Sequence, residues 1–200
     1  KIKFIEGSQG QVWDLNIIEG NLICGHNNGT YLVEKDNFKQ ISTQTGGWVI
    51  KKVPERVNEY IQGTYAGLVK FTYFNGKWNT RHLGKITIPI RFLAFENSRT
   101  AWAAHAYKGL YKIRFNKSVD SIIEVKNYKD KGLESLYNLR VFNLNNDICI
   151  KNNEGWHKYE PILDSIVPHR IFNETYGKDF NIISDEGIDA LVLKKDDIIS

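Results

Sequence analysis

The chain has 200 residues, 42% of them hydrophobic and 25% charged, with a formal net charge of +4. That balance can bury a sizeable core and excludes an intrinsically disordered chain. The positive charge is scattered in short runs such as Lys51-Lys52, Lys129 to Lys131 and Lys194-Lys195. Each run sits near an acid, the pattern of a solvated surface, so no nucleic-acid partner is expected. Ten Tyr, ten Phe, five Trp and only four Pro favour strands. The two cysteines, Cys24 and Cys149, lie in apolar strand text at what read as equivalent points of separate units, and are expected as free buried thiols. The chain has no apolar stretch long enough to span a bilayer. It opens directly on strand-like text and contains no Met, which reads as a piece of a longer polypeptide.

Taken in order, the elements repeat. Val12 to Ile17 alternates apolar and polar residues, Glu19-Gly20 turns, and Leu22 to His26 forms a second strand. Asn27-Asn28-Gly29 is a tight turn of the kind that takes positive φ, followed by strands over Thr30 to Glu34 and Phe38 to Ile41. The second unit runs from Gly47 to Thr80 with a turn at Tyr65-Ala66-Gly67 and a strong hairpin signal at Asn75-Gly76. The third has strands at Arg91 to Phe95, Ala101 to His105, Leu110 to Ile113 and near Ser121 to Val125. The fourth has Asn138 to Asn143, Asp147 to Ile150 and Gly155 to Tyr159. A fifth begins at Arg170-Ile171-Phe172 and continues through Asp179 to Ile183. Gly132 to Tyr137 and Pro161 to Ile166 each read as a single helical turn at most, the second being the better candidate.

The phrase ending in Gly29, Gly67, Gly109, Gly155 and Gly187 sets the period, which is about 30 to 45 residues. Four-stranded units with small central turns at this spacing predict an all-β, β-propeller fragment of about five blades of four antiparallel strands. The blades are placed at 12–42, 46–83, 90–128, 137–168 and 170–200 of a single domain, 1–200. A sandwich needs no periodic glycine, and a β-helix repeat is usually shorter. The ring either closes at five blades or is an open arc of a larger ring of six to eight. In the open arc, Ile2 to Ile5 would be the outer strand of a preceding blade.

Two stretches resemble the two-component regulator propeller repeat. They are Val12-Trp13-Asp14 with Cys24-Gly25-His26-Asn27-Asn28-Gly29-Thr30-Tyr31, and Ala101-Trp102-Ala103-Ala104-His105-Ala106-Tyr107-Lys108-Gly109-Leu110-Tyr111. Asn138 to Phe142 is similar to its innermost strand. Ala103, His105, Cys24 and Lys151 depart from the family pattern. The text around Arg91-Phe92-Leu93 and from Lys131 to Val141 is similar to sensors of Bacteroidetes-type bacteria. The resemblance implies an extracytoplasmic, periplasmic input domain of a one-pass membrane regulator. It implies a triple-tyrosine domain, a membrane helix and a histidine kinase or LuxR-type output elsewhere in the receptor. The partners implied are an oligosaccharide or other small ligand, the rest of the receptor, and a second copy in a homodimer.

No cofactor, metal or catalytic residue is predicted. The five histidines lack zinc-site spacing, there is no nucleophile elbow, and there is no phosphate or Ca²⁺ loop. The acids Asp14, Asp185, Glu186 and Asp189 could make a carboxylate pair, but the Asp-Glu-Gly text at Asp185 is also a turn former. Asp14 could pair with His26 across strands. The expected ligand-binding residues are His26, Trp48, Tyr65, Arg91, His105, Tyr107 and Arg140, at strand starts or central turns, where aromatic faces with polar donors suit a neutral polyhydroxy ligand. Trp156 is placed on the same surface, and Trp13, Trp78 and Trp102 in blade-to-blade packing. The function expected is a non-catalytic sensing or interaction propeller. The alternatives are a glycan-active propeller enzyme and a plain protein-interaction scaffold.

Overall fold

The structure is a computed structural model that describes residues 4–178, together with the backbone of 181–184, 192–195 and 198–199. Four sheets follow one another, each of four antiparallel strands in sequence order. The first holds β1 (Val12–Ile18), β2 (Asn21–His26), β3 (Gly29–Glu34) and β4 (Asn37–Ser42). The second holds β5 (Val49–Lys52), β6 (Glu59–Thr64), β7 (Gly67–Phe74) and β8 (Lys77–Leu83). The third holds β9 (Phe92–Asn97), β10 (Thr100–His105), β11 (Gly109–Phe115) and β12 (Ile122–Asn127). The fourth holds β13 (Arg140–Leu144), β14 (Asp147–Asn152), β15 (Gly155–Glu160) and β16 (Ser165–Pro168). None closes into a barrel, so the chain forms an open, propeller-like arc of blades, as its period predicts.

The last part departs from expectation. Arg170 to Phe172 is not a strand but the start of a short helix, α1 (Arg170–Thr175). His169 caps it, its Nδ1 accepting from the Phe172 N–H, and Asn173 trades hydrogen bonds with the Trp156 backbone through both side-chain atoms. Beyond it a three-stranded sheet joins β17 (Asn181–Ser184), β18 (Val192–Lys195) and β19 (Ile198–Ile199). Gly187, Asp185, Glu186 and Asp189 lie outside the described residues, as do Ile2 and Lys3 of the expected preceding strand, while its Phe4 and Ile5 are not in a strand. Pro161 to Asp164 makes one turn, closed by the Asp164 N–H on the Pro161 carbonyl.

The blades meet face to face. Ile18, Ile23 and Leu32 of the first pack on Ile50, Tyr60, Val69 and Phe71 of the second. Ile61 and Leu68 pack on Leu93, Ala101, Ala103 and Ile113. Trp102, Ala104 and Leu110 pack on Val141, Ile148 and Ile150. Trp102 thus sits between blades as expected, within ring contact of Tyr128 and Tyr159. Each second strand sends alternate residues to opposite interfaces. Cys24 and Cys149 are both free and buried, as predicted. They are not equivalent, however: Cys24 pairs two rungs before its turn and Cys149 three, so they face opposite sides of their sheets.

The repeated glycines do two jobs. Gly29, Gly67, Gly109 and Gly155 close the β2–β3-type turns with positive φ, whereas Asn27 and Asn28 do not take it. The Asn75-Gly76 hairpin has positive φ at both residues, as its sequence predicts. Gly25 and Gly63 sit one rung before the turn, where the next blade enters. A Cβ on Gly25 would lie 2.1 Å from the Gly47 carbonyl oxygen, and one on Gly63 would lie 2.4 Å from that of Ile90. The entering backbone bonds there, Gly47 N–H to the His26 carbonyl and Ile90 N–H to the Thr64 carbonyl. We expect Gly63→Ala to lower stability by about 1–3 kcal/mol through overpacking against backbone that cannot move aside. Gly84→Ala, where an added Cβ meets nothing within 4 Å, is the control. Equal urea midpoints for the two variants would contradict the close-approach account.

Candidate ligand groove on the innermost strands

The first strand of each blade is the innermost, and three of them share one groove. Asp14, Val49 and Phe92 are register equivalents, each opposite the residue one rung before the turn, namely Gly25, Gly63 and Ala104. The residues just ahead of them are Trp13, Trp48 and Arg91. All six line a cavity of about 220 Å³. Its floor continues through Asn16, Ile50, Lys51 and Leu93. The register of β1 on β2 slips between Val12 and Asp14. Such a bulge re-aims a side chain, and here it accompanies the delivery of Trp13 to the groove.

An aromatic ridge runs along its rim. Trp13 and Trp48 meet edge to face at 5.9 Å, and Trp13 Nε1 donates to the Tyr65 hydroxyl at 2.9 Å. Trp48 continues to Tyr65 at 4.7 Å and to His105 at 5.6 Å. His105 continues to Tyr107 at 6.0 Å, and Tyr107 to Tyr137 at 5.3 Å. Trp48 Nε1 is shielded and has no hydrogen-bond partner among the described residues. A buried donor without a partner costs about 1–3 kcal/mol. Asp14 accepts from Asn16 Nδ2 at 2.7 Å and from the Ile50 N–H of the next blade at 3.3 Å. The guanidinium groups of Arg91 and Arg140 lie 5.7 and 5.3 Å from the Phe92 ring.

Of the seven residues predicted from sequence, Trp48 and Arg91 line the cavity, Tyr65 and His105 touch Trp48, Tyr107 touches His105, and Arg140 reaches the Phe92 ring. His26 stands apart. It is buried against Tyr31 and Phe38, with Gly10 over its imidazole. The expected Asp14–His26 pair does not form, because His26 is opposite Val12 and Asp14 is opposite Gly25. Trp156 is fully buried under Phe172 and Tyr176 and is not on this surface. Sequence reading missed Trp13 and Tyr137. For Trp13 a signal existed: Trp13 and Trp48 stand at like positions before successive glycine phrases.

His26 and His105 do share a role, with Thr64 and Asn152. All four end the second strand of their blade, and each accepts a hydrogen bond from the backbone N–H two residues on. The donors are Asn28, Ala66, Tyr107 and Glu154 respectively. The repeated position is therefore a turn cap. For His105 the accepting atom is Nδ1, which places its proton on Nε2 in the neutral ring. Burial, then the charges of Arg91 and Lys108, hold its pKa below the usual value. Among the described residues no group of three or more His, Cys, Asp or Glu side chains is arranged to hold a metal ion. No described helix is long and apolar enough to cross a membrane.

No protein-family profile matches the chain, and no curated protein matches it in sequence. Solved structures do match. The extracellular domain of the B. thetaiotaomicron protein BT4673, described as a hybrid two component system, aligns over 82% of this chain with a TM-score of 0.61 and 15% identity. A second structure of that domain, described as a one component system, aligns over 94% with a TM-score of 0.59 and 14% identity. A B. thetaiotaomicron protein of unknown function aligns over 78% with a TM-score of 0.53 and 11% identity. The chain spans only 22%, 24% and 42% of those three. At these identities the likeness is one of fold. It places the chain among β-propeller-type blade arrays, of the architecture found in such extracellular domains.

Burial also lowers the pKa of His157 and His169. With His105, the folded chain binds protons at these sites less readily than the unfolded chain, whose histidines titrate near 6.5. Stability should therefore be complete above about pH 6.5 and fall as pH drops below it toward the folded-state values. His105→Asn keeps a turn-capping acceptor, as Asn152 does, but removes one titrating group. It should make the fall in melting temperature from pH 7 to pH 5 measurably shallower. A slope identical to that of the parent chain would contradict the assignment.

Proposed function

We propose that this chain is a non-catalytic sensing module of a bacterial signal-transduction receptor that acts in the periplasm, and that its groove takes a polyhydroxy ligand of the oligosaccharide type. The single observation that carries the reading is the groove itself. Three blades contribute equivalent rungs to one cavity that combines two tryptophans with the polar side chains of Asn16, Lys51 and Arg91. Aromatic faces stack on sugar C–H surfaces while polar groups at the rim fix orientation. Among the described residues Asp14 is the sole carboxylate on the lining, and it already serves Asn16 and the Ile50 N–H. That supports binding over the glycan-active alternative, which needs a pair of carboxyl groups flanking the scissile bond. The fold likeness to extracellular domains of signalling proteins supports the receptor setting.

Calorimetric titration against a panel of neutral and acidic oligosaccharides tests the reading. A ligand from the panel should bind, and Trp48→Ala should weaken it at least tenfold, a loss of about 1.4 kcal/mol. His26→Gln, outside the groove, should bind within about twofold of the parent. Absence of heat with every glycan, from folded protein, would sink the sugar-sensing reading. Hydrolysis or elimination of any panel member would sink the non-catalytic one.

A further inference from the structure

The charges on the groove do not balance. Lys51 stands opposite Ile61, on the rung where β1 carries Asn16 and β9 carries Ala94. Arg91 stands just ahead of β9, and both cations line the cavity. Among the described residues neither enters an ion pair. By contrast, Lys70 meets Glu59 at 2.9 Å and Lys112 meets Glu96 at 2.8 Å. Lys51 is half-buried like Lys112, yet it has no such counterion. The Asp14 carboxylate on the same lining is already engaged, its Oδ2 accepting from Asn16 Nδ2 and from the Ile50 N–H. At the rim Lys108 adds a further positive group. Burial, and then the charges of Arg91 and Lys108, disfavour a proton on His105, as a positive field at that rim requires. A concave site lined by one sign of charge concentrates its field on whatever enters.

The lining is also divided by type. Its tryptophans, Trp13 and Trp48, come from the first and second blades, and its guanidinium, Arg91, from the third. A sugar ring laid on the tryptophans therefore has the third blade, and Arg91, on one side of it. A guanidinium presents its donors in a planar fork that matches two oxygens of a carboxylate or sulfate, and such charge-assisted pairs are about twice as strong as neutral hydrogen bonds. We propose, on the footing of the sugar-sensing reading above, that the groove selects an anionic saccharide, one bearing a carboxylate or sulfate group that Arg91 receives and Lys51 helps to neutralise. The neutral polyhydroxy ligand expected from the sequence would leave both cations uncompensated inside the site, at a cost in desolvation that an acidic sugar repays.

Matched ligands test the charge. A uronic-acid trisaccharide and its methyl ester share one sugar skeleton and differ in charge, as do a sulfated disaccharide and its unsulfated parent. In calorimetry at low salt, the charged member of at least one pair should bind about tenfold tighter than the neutral one, and the gap should shrink as salt is raised. Arg91 is exposed, so Arg91→Gln should fold normally and bring the charged ligand down to the level of its neutral partner. His26→Gln, outside the groove, should keep the gap. Equal binding within both pairs, or a gap that survives Arg91→Gln, overturns the anion selection and leaves the sugar-sensing reading standing. The Arg91 Nε–H resonance, identified by its loss in Arg91→Gln, separates the two claims. It should move on adding glucuronate or inorganic sulfate and stay in place with glucose. If it moves while no oligosaccharide binds, the anion site stands and the sugar-sensing reading falls. If it stays in place with every anion, the anion site falls.

Discussion

Everything in this arc depends on how closely one blade's innermost strand can enter over the turn of the blade before it. At that crossing, backbone N–H groups of Gly47, Ile90 and Leu139 donate to carbonyls of His26, Thr64 and Ala106. At Gly25 and Gly63 a side chain would keep the chains too far apart, while the third crossing, with its longer 3.5 Å bond, admits the single methyl of Ala104. The cost of a Cβ at Gly25 or Gly63 is steric, because the opposing atoms are backbone carbonyls. Fully buried side chains such as Ile61, Leu93 and Trp102 then fill the space farther from the crossing.

The same crossing builds the groove. Once the entry points align, the residue ahead of each becomes a wall of a common cavity, which is why Trp13, Trp48 and Arg91 converge although they are far apart in sequence. The turn caps hold the opposite side of that geometry. His105 caps its own turn through Nδ1 and touches Trp48 through its ring, so the aromatic ridge is tied to the blade's backbone. The groove thus joins three blades, so anything that fills it bears on their relative arrangement.

Packing polarity gives the arc a direction. Every formed interface sets opposite faces of successive blades against each other, and the two ends differ. The far side of the fourth blade is covered by Phe172 and Tyr176 at α1, while Leu15 and Ile17 on the outer side of the first are exposed. The stacking principle is that of repeat proteins, in which each unit is stabilised chiefly by its neighbours.

The sequence by itself determined the strand order, the four-stranded unit and its phase, because period-two alternation and the glycine turns are local properties of the backbone. Asn75-Gly76 made its hairpin as written, and the buried free cysteines were legible from their apolar strand text. The helix at Arg170 was not, since its six residues carry little helical signal and its position rests on Asn173 meeting the Trp156 backbone. Residues Trp48, Tyr65, Arg91, His105 and Tyr107 could be placed on one surface by their distance from the turn. Trp13 was read as blade packing instead, because a bulge between Val12 and Asp14 displaces it from simple alternation, although its place before the glycine phrase matches that of Trp48. Nor could the separation of Cys24 from Cys149, or of His26 from the groove. A one-rung offset decides which face a side chain takes, and only the pairing of strands sets that offset. Which apolar face is covered is likewise a matter of neighbours: Leu15 and Leu93 read alike in sequence, and only the tertiary structure puts a blade on one and leaves the other open.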